Sequence, residues 1–130
     1  MKEYTREVIY TENAPKGRGP FPQALKVGPF VFMSGWGPLD KETNAPIQGD
    51  FEQQVRKTLD NISAVAAASG VSIDRAVKIT IYLTDLTNIP RFNEIYKEYF
   101  PDEHQRPART LVQAGLRGID VEIDAILMDV

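Results

Sequence analysis

The sequence predicts an α+β fold in which two helices cover one face of a mixed β-sheet, giving a two-layer sandwich. Three observations support this prediction: a pair of short apolar runs near the N-terminus, two amphipathic helical patterns further on, and alternating apolar segments between and after them. At 130 residues without an internal repeat, the chain has the size of one domain. We therefore expect residues 1–130 to form a single domain.

The first predicted elements are a hairpin and a long helix. Apolar runs at Ala24–Val27 and Phe30–Ser34 flank a Gly-Pro pair, which is typical of a turn between two strands. Asp50 can cap the next helix, and Gln53 three residues later completes a capping box. The apolar residues at helical spacing are Phe51, Val55, Leu59, Ile62 and Val65. Gly70 is expected to end this helix in the left-handed conformation.

The second half of the chain continues with a strand, a helix and two further strands. Ala76–Leu83 alternates, which predicts Val77, Ile79, Ile81 and Leu83 on one face and Lys78, Thr80 and Tyr82 on the other. Thr87 or Asn88 can cap a second helix, with Pro90 in its first turn. Extended segments follow at Ala108–Val112 and Ile119–Met128, and loops are expected at Asn13–Pro22, Gly37–Gly49 and Asp102–Pro107. With both helices on one face, the other face is uncovered, and we expect an oligomer to cover it.

Composition narrows the possible classes of protein. The chain has no cysteine, which removes disulfides and thiolate chemistry and gives no sign of an oxidising compartment. The net charge of −3 and the scattered basic residues disfavour binding to nucleic acid, which usually needs a basic stripe. Met1–Glu7 lacks the apolar run of a signal peptide, and no segment reaches the length of a membrane span. We expect a soluble, cytoplasmic protein.

Arg109 is the most informative residue, because it enters a strand that is otherwise apolar. Arginine is rarely buried without a partner. One interpretation is a structural ion pair with Glu122 or Asp124. The other is that the planar guanidinium binds the carboxylate of a ligand through two parallel hydrogen bonds. Residue chemistry alone leaves these two interpretations level.

Glu122 and Asp124 stand two residues apart in the alternating last strand, and so on the same face. A partly buried glutamate can have its pKa tuned so that it orients water or transfers a proton, which is typically worth ~10²–10⁴ in rate. A solvated or ion-paired strand face is the structural alternative. The sequence does not separate the two.

Several other chemistries lack their residues. His104 is the only histidine, so a histidine metal pair is impossible, and a loop position explains this residue better than catalysis does. A Ser-His-Asp enzyme would also need His104, and no Gly-x-Ser-x-Gly elbow is present. Trp36, the only tryptophan, is equally compatible with a pocket wall and with the core.

The chain resembles the Rid/YjgF family of reactive-intermediate imine deaminases over almost its full length. Each matching motif alone is weakly specific, but the order and spacing of the whole set of motifs are specific. The matching segments are Asn13-Ala14-Pro15, Gly19-Pro20-Phe21-Pro22-Gln23, Ser34-Gly35, Leu59-Asp60-Asn61-Ile62, residues 77–86, residues 93–100, Pro107-Ala108-Arg109-Thr110 and residues 121–126.

The resemblance implies a chorismate mutase-like homotrimer with active sites in clefts between subunits. It also implies hydrolysis of 2-aminoacrylate or 2-iminobutanoate to the 2-oxo acid and ammonia. Arg109 would bind the substrate carboxylate and Glu122 would position the attacking water, while the Leu111 backbone and the Gly35 amide would hold substrate or water. Ser34 and Asn93 match frequently shared positions, and for Asn93 we expect a structural role.

Three positions depart from the family pattern. Phe21 stands where the family has an aromatic residue that carries a hydroxyl group, and it lacks that group. Trp36 stands where glutamine is common, and Leu111 replaces the usual cysteine. These changes are expected to alter which substrate enters the pocket, with Phe21 and Trp36 among its walls.

An imine carbon is already electrophilic, so no cofactor or metal is expected to be needed. Two other functions are compatible with the same resemblance. One is a non-catalytic sensor that binds a 2-oxo acid or amino acid, and the other is an endoribonuclease or translation inhibitor. Glu122 favours catalysis over the sensor, and the negative net charge disfavours the ribonuclease.

Overall fold

Six strands form one mixed sheet in the computed structural model, which describes residues 4–130. The strands are β1 (Arg6–Ile9), β2 (Ala24–Val27), β3 (Phe30–Met33), β4 (Ala76–Leu83), β5 (Ala108–Gln113) and β6 (Val121–Met128). The helices are α1 (Phe51–Ser69) and α2 (Ile89–Tyr99). A short 3-10 turn at Ile73–Arg75 follows α1, and another at Leu86–Asn88 precedes α2. The first three residues of the Met1–Glu7 segment lie outside the described residues.

The strand order across the sheet is β1-β2-β3-β6-β4-β5. Only β4 and β5 run parallel among these pairs, and the other neighbours are antiparallel, so the predicted mixed sheet is confirmed. β5 is an edge strand that pairs with β4 on one side, and its other backbone edge has no strand beside it within residues 4–130.

The core lies between the two helices and one face of the sheet. On α1, Val55, Leu59, Ile62 and Val65 are fully buried, and on the sheet Ile79, Ile81, Leu83, Ile123 and Leu127 are fully buried as well. The capping box is present: the Asp50 side chain accepts from the Gln53 amide at 2.9 Å, and Gln53 Oε1 accepts from the Asp50 amide at 2.8 Å. Gly70 ends α1 with a φ of 82°, as predicted.

The sequence-based prediction was wrong in three places. It had no strand before Ala24, whereas β1 pairs with β2. Val77 is 42% exposed, because a bulge between Ala76 and Lys78 turns it away from the core and Ala76 is buried instead. Asn88 precedes α2 without a side-chain cap bond, and the capping side chain of this region is Asp85, which accepts from the Thr87 amide.

The face of the sheet opposite the helices carries an apolar row that crosses four strands. The register places Val8, Leu25, Phe32 and Ile126 side by side. Directly paired residues share a face, so these side chains form one surface. Val8 and Phe32 are exposed in the single chain, at 65% and 42%. Within residues 4–130, no helix has the length and apolar character needed to cross a membrane.

Candidate functional site

Glu122 lies on the uncovered face of β6, because its neighbours Val121 and Ile123 are both buried in the core. Its carboxylate rests against the backbone of Gly35. A Cβ atom on Gly35 would come within 2.7 Å of Glu122 Oε2. Gly35 therefore has no room for a side chain while Glu122 keeps this position.

The segment around Gly35 is fixed to β6 by backbone hydrogen bonds. The Trp36 amide donates to the Ile123 carbonyl at 2.7 Å, and the Ile123 amide donates to the Trp36 carbonyl at 2.8 Å. The Ser34 hydroxyl donates to the Pro22 carbonyl at 2.6 Å. Ser34 thus ties the loop before β2 to the end of β3, and it does not line the cavity described next.

A cavity of about 150 Å³ opens beside Glu122. Four of the predicted site residues lie together in its wall: Phe21, Gly35, Trp36 and Glu122. The other lining residues are Lys16, Gly17, Arg18, Gln23, Gly37, Leu39, Arg117 and Ile119. Trp36 is 3% exposed and belongs to the core as well, so it is both a core residue and a cavity wall. Its Nε1–H has no hydrogen-bond partner among residues 4–130.

The loop that carries Phe21 is held in place by two amide side chains. Gln23 is buried, and its Nε2 donates to the carbonyls of Thr11 at 3.0 Å and Pro15 at 2.9 Å. Asn44 Oδ1 accepts from the Gly17 amide at 3.1 Å, and Asn44 Nδ2 donates to the Gly17 carbonyl at 2.7 Å. The loop is therefore preorganised by the chain itself.

The pKa of Glu122 is raised above that of an ordinary glutamate. Burial is the main cause, because it disfavours the charged carboxylate, and the negative charge of Asp124 adds to it. The Tyr82 hydroxyl donates to Asp124 Oδ2 at 3.2 Å, which helps to keep Asp124 in place. A carboxyl group with a raised pKa can take up and release a proton closer to neutral pH.

Arg109 lies in a second cavity, which is lined by Asn93, Tyr96, Lys97, Arg106, Pro107 and Arg109. Asn93 Oδ1 accepts a hydrogen bond from Arg109 Nη2 at 2.7 Å. The guanidinium carbon lies 4.9 Å from the centre of the Tyr96 ring and 5.5 Å from that of Phe92. Burial lowers the pKa of Arg109, yet arginine stays a cation in proteins. Side chains of α2 therefore hold the guanidinium: Asn93 binds one edge by a hydrogen bond, and the Tyr96 and Phe92 rings lie against it.

No carboxylate of residues 4–130 forms an ion pair with Arg109. The interpretation as an ion pair with Glu122 or Asp124 is therefore wrong, and the sheet register explains why. Arg109 is paired with Ile79 of β4, whereas Glu122 is paired with Tyr82 of the same strand.

Ile79 and Tyr82 are three residues apart on one strand, so their side chains point to opposite faces. Arg109 consequently lies on the helix side of the sheet and Glu122 on the uncovered side. Leu111 lies two residues beyond Arg109 on the same side, with its side chain packed against the core. Within one chain, Glu122 and Arg109 therefore lie in two separate cavities.

The remaining candidate behaves as a surface residue. His104 is in an exposed loop, and its Nε2 lies 3.6 Å from Glu103 Oε1. In the part of the chain that the structure describes, no group of three or more His, Cys, Asp or Glu side chains is arranged to hold a metal ion. Sequence reasoning missed Gln23, Tyr96, Arg18 and Arg117 as cavity residues. Gln23 and Tyr96 carried a usable signal, because they lie in the family-matching segments Gly19–Gln23 and 93–100.

The sequence matches known proteins over most of its length. A family model described as Endoribonuclease L-PSP matches residues 11–128. A RutC family protein of Pyrococcus horikoshii is 43% identical over 123 residues, covering 93% of this chain and 96% of its own. TdcF of Escherichia coli K12, provisionally named a reactive intermediate deaminase, is 37% identical over 125 residues, covering 93% of this chain and 95% of its own.

The structural matches agree with the sequence matches. The crystal structure of E. coli TdcF with bound serine has a TM-score of 0.85 at 36% identity, covering 94% of this chain and 98% of its own. RidA from the Antarctic bacterium Psychrobacter sp. has a TM-score of 0.87 at 36% identity, covering 94% of this chain and 98% of its own. The fold is thus that of the small α+β Rid proteins. The chain belongs to the Rid/YjgF family, the family of the Endoribonuclease L-PSP model.

Proposed function

We propose that this protein hydrolyses reactive 2-imino and enamine acids, of the 2-aminoacrylate and 2-iminobutanoate type, to 2-oxo acids and ammonia. The observation that carries the proposal is Arg109, which is positioned by Asn93 and has no carboxylate partner among residues 4–130. A preorganised guanidinium of this kind suits a small carboxylate ligand, which it can bind through two parallel hydrogen bonds. The provisional name of E. coli TdcF supports the same reaction class.

The proposed reaction needs one water molecule and two charged side chains. Arg109 binds the carboxylate of the imino acid, and Glu122 holds the water and accepts its proton as the oxygen attacks the imine carbon. Starting from the protonated imine, this step gives a neutral carbinolamine, and Glu122 then returns the proton to its nitrogen. The C–N bond breaks, ammonia leaves, and Glu122 takes the proton of the hydroxyl group and passes it to ammonia, which gives the 2-oxo acid and ammonium. An enamine acid must first take up a proton on its terminal carbon to become the imine. The raised pKa of Glu122 suits a group that must accept and return a proton.

We further propose that the Arg109 cavity and the cavity beside Glu122 are two halves of one active site, which meet between subunits of a homotrimer. Arg109 and Glu122 point to opposite faces of their own sheet, so a small substrate cannot contact both within one chain. The apolar row at Val8, Leu25, Phe32 and Ile126 supports an assembly that covers the uncovered face, because burying apolar surface is worth roughly 25 cal/mol per Å². The cavity beside Glu122 would then receive Arg109 from the neighbouring subunit.

The test supplies 2-iminobutanoate from a threonine dehydratase and follows 2-oxobutanoate release by the wild type, Arg109→Ala and Glu122→Gln. We expect Arg109→Ala to lose at least about 30-fold in kcat/KM, because losing one partner of a buried charged contact costs roughly 2 kcal/mol or more. Arg75→Ala, at an exposed position outside both cavities, is the control. A wild type that does not outpace spontaneous hydrolysis would remove the deaminase proposal.

A non-catalytic sensor is the second candidate function. The crystal structure of E. coli TdcF with bound serine supports it, because that similar protein binds an amino acid. Calorimetry with serine and with 2-oxobutanoate separates the two functions. Binding that depends on Arg109 without any turnover of 2-iminobutanoate supports the sensor. Cleavage of an RNA substrate that survives Arg109→Ala and Glu122→Gln would instead point to a ribonuclease at another site.

A further inference from the structure

The cavity beside Glu122 has a basic rim that the proposed deamination of a small imino acid does not use. Lys16, Arg18 and Arg117 all line this cavity, and Glu122 is the only acidic residue in its wall. None of the three basic side chains takes part in an ion pair or side-chain hydrogen bond within residues 4–130. The ion pairs found there involve Lys26, Arg56, Arg91 and His104.

The positive charge of this rim is opposite in sign to the net charge of the whole chain. The protein is acidic, with a net charge of −3, yet three cations and one carboxyl group meet at this cavity. None of the three rim cations forms an ion pair with Glu122 among residues 4–130. The rim charges are therefore available to an anionic ligand.

The backbone that carries Lys16 and Arg18 is supported by hydrogen bonds. Gly17 lies between Lys16 and Arg18, and both its amide and its carbonyl are hydrogen-bonded to the Asn44 side chain. The Pro15 carbonyl just before them accepts from Gln23 at 2.9 Å. Fixing this backbone before a ligand arrives reduces the entropy that the loop loses on binding.

The cavity has room for more than the reacting end of a small imino acid. Its volume of about 150 Å³ is well above the roughly 10–15 Å³ that a single water molecule needs on the same measure. The large uncharged side chains of the wall are apolar, namely Phe21, Trp36, Leu39 and Ile119, which suits a short methylene stem that ends in a charged group.

We propose that this site prefers 2-imino acids whose side chain ends in a second carboxylate, and that Arg18 and Arg117 bind that distal carboxylate. The proposal rests on the deaminase function above and names its substrate class. Arg109 binds the carboxylate next to the imine, Glu122 handles the water, and the rim binds the far end. The balanced reaction is an imino diacid plus water giving a 2-oxo diacid plus ammonia.

The experiment compares kcat/KM for 2-iminoglutarate and 2-iminobutanoate, each generated in place from its amino acid by an amino-acid oxidase. We expect the wild type to prefer the diacid at least about tenfold, because the rim arginines form charge-assisted hydrogen bonds with the distal carboxylate that the monoacid cannot form. Arg18→Gln and Arg117→Gln are each expected to reduce this preference ratio about tenfold. Arg75→Gln, at an exposed arginine outside this cavity, should leave the ratio unchanged.

Two results overturn the proposal while leaving the deaminase function intact. One is a wild type that hydrolyses 2-iminobutanoate but shows no preference for the diacid. The other is an equal loss on both substrates in the rim variants, which would mean that the arginines only attract anions in general. If neither imine is hydrolysed, calorimetry with 2-oxoglutarate and 2-oxobutanoate decides the same question, and equal affinities for the two ligands reject the diacid preference.

Discussion

Asn93 holds the Arg109 guanidinium through one short hydrogen bond, and this contact gives the residue a positioning role. We expect Asn93→Ala to lower kcat/KM about tenfold, because one charge-assisted bond is lost. Asn93→Asp should cost more activity, since a carboxylate at this position would pair with Arg109 and compete with the substrate. Steady-state kinetics should show the Asp variant mainly as a higher KM. Wild-type activity in Asn93→Ala would contradict the positioning role.

Asp124 offers a way to change the pKa of Glu122 without touching the catalytic carboxyl group. Its negative charge raises that pKa, although less than burial does. Asp124→Asn removes the charge, so the pKa of Glu122 should fall. If Glu122 must be ionised to accept a proton, the acid limb of the pH profile of kcat/KM should move to lower pH.

The control for this profile is Asp74→Asn, at an exposed position away from Glu122. An acid limb that stays in place in Asp124→Asn would mean that Asp124 does not influence the titration of Glu122.

At the level of helices, α1 depends on a reciprocal cap. Asp50→Ala removes the acceptor for the Gln53 amide, and we expect a loss of about 1 kcal/mol in the free energy of unfolding. Denaturant titration measures this loss. Asp50→Asn is the matched control, because it removes the negative charge but keeps an oxygen that can accept from the Gln53 amide. An unchanged unfolding midpoint in Asp50→Ala would show that packing alone defines the helix start.

The elements that could be predicted from the sequence are those whose signals are local. The Asp50 cap, the Gly70 terminus and the β2–β3 hairpin all depend on neighbouring residues, and the structure has them as predicted. β1 could not be recognised, because four residues gain their strand conformation only by pairing with β2. The outward turn of Val77 depends likewise on the register between β4 and β6.

The candidate site shows the same division. Sequence motifs identified Arg109 and Glu122 as the residues of interest. Their placement on opposite faces depends on β4 lying between β5 and β6, which is a property of the sheet order and not of either strand alone. The partner of Arg109, Asn93, comes from α2 and is 16 residues away in the chain, so the sequence suggested only a structural role for it.

For the whole molecule, a site shared between subunits makes a prediction about mixtures. Arg109→Ala subunits keep a normal Glu122, and Glu122→Gln subunits keep a normal Arg109. Each variant alone should be nearly inactive. Co-expressed in equal amounts and assembled at random, they should recover about a quarter of the wild-type activity, because about one interface in four joins the two intact residues.

The measurement is the 2-oxobutanoate assay on the co-purified mixture, with the two variants tagged differently so that mixed oligomers can be isolated. A mixed oligomer as inactive as its parents would place both residues of each site in the same subunit, or remove one of them from the reaction.

The position of β5 at the edge of the sheet affects how activity depends on protein concentration. A chain can complete its own sheet and core by a first-order process, since all their contacts lie within it. Under the proposed assembly, the strand that carries Arg109 becomes useful only after meeting another chain, and that step is of higher order in protein concentration. Specific activity should therefore fall on dilution while the helical signal in circular dichroism stays constant. Folding and the gain of activity are then separate events for this chain.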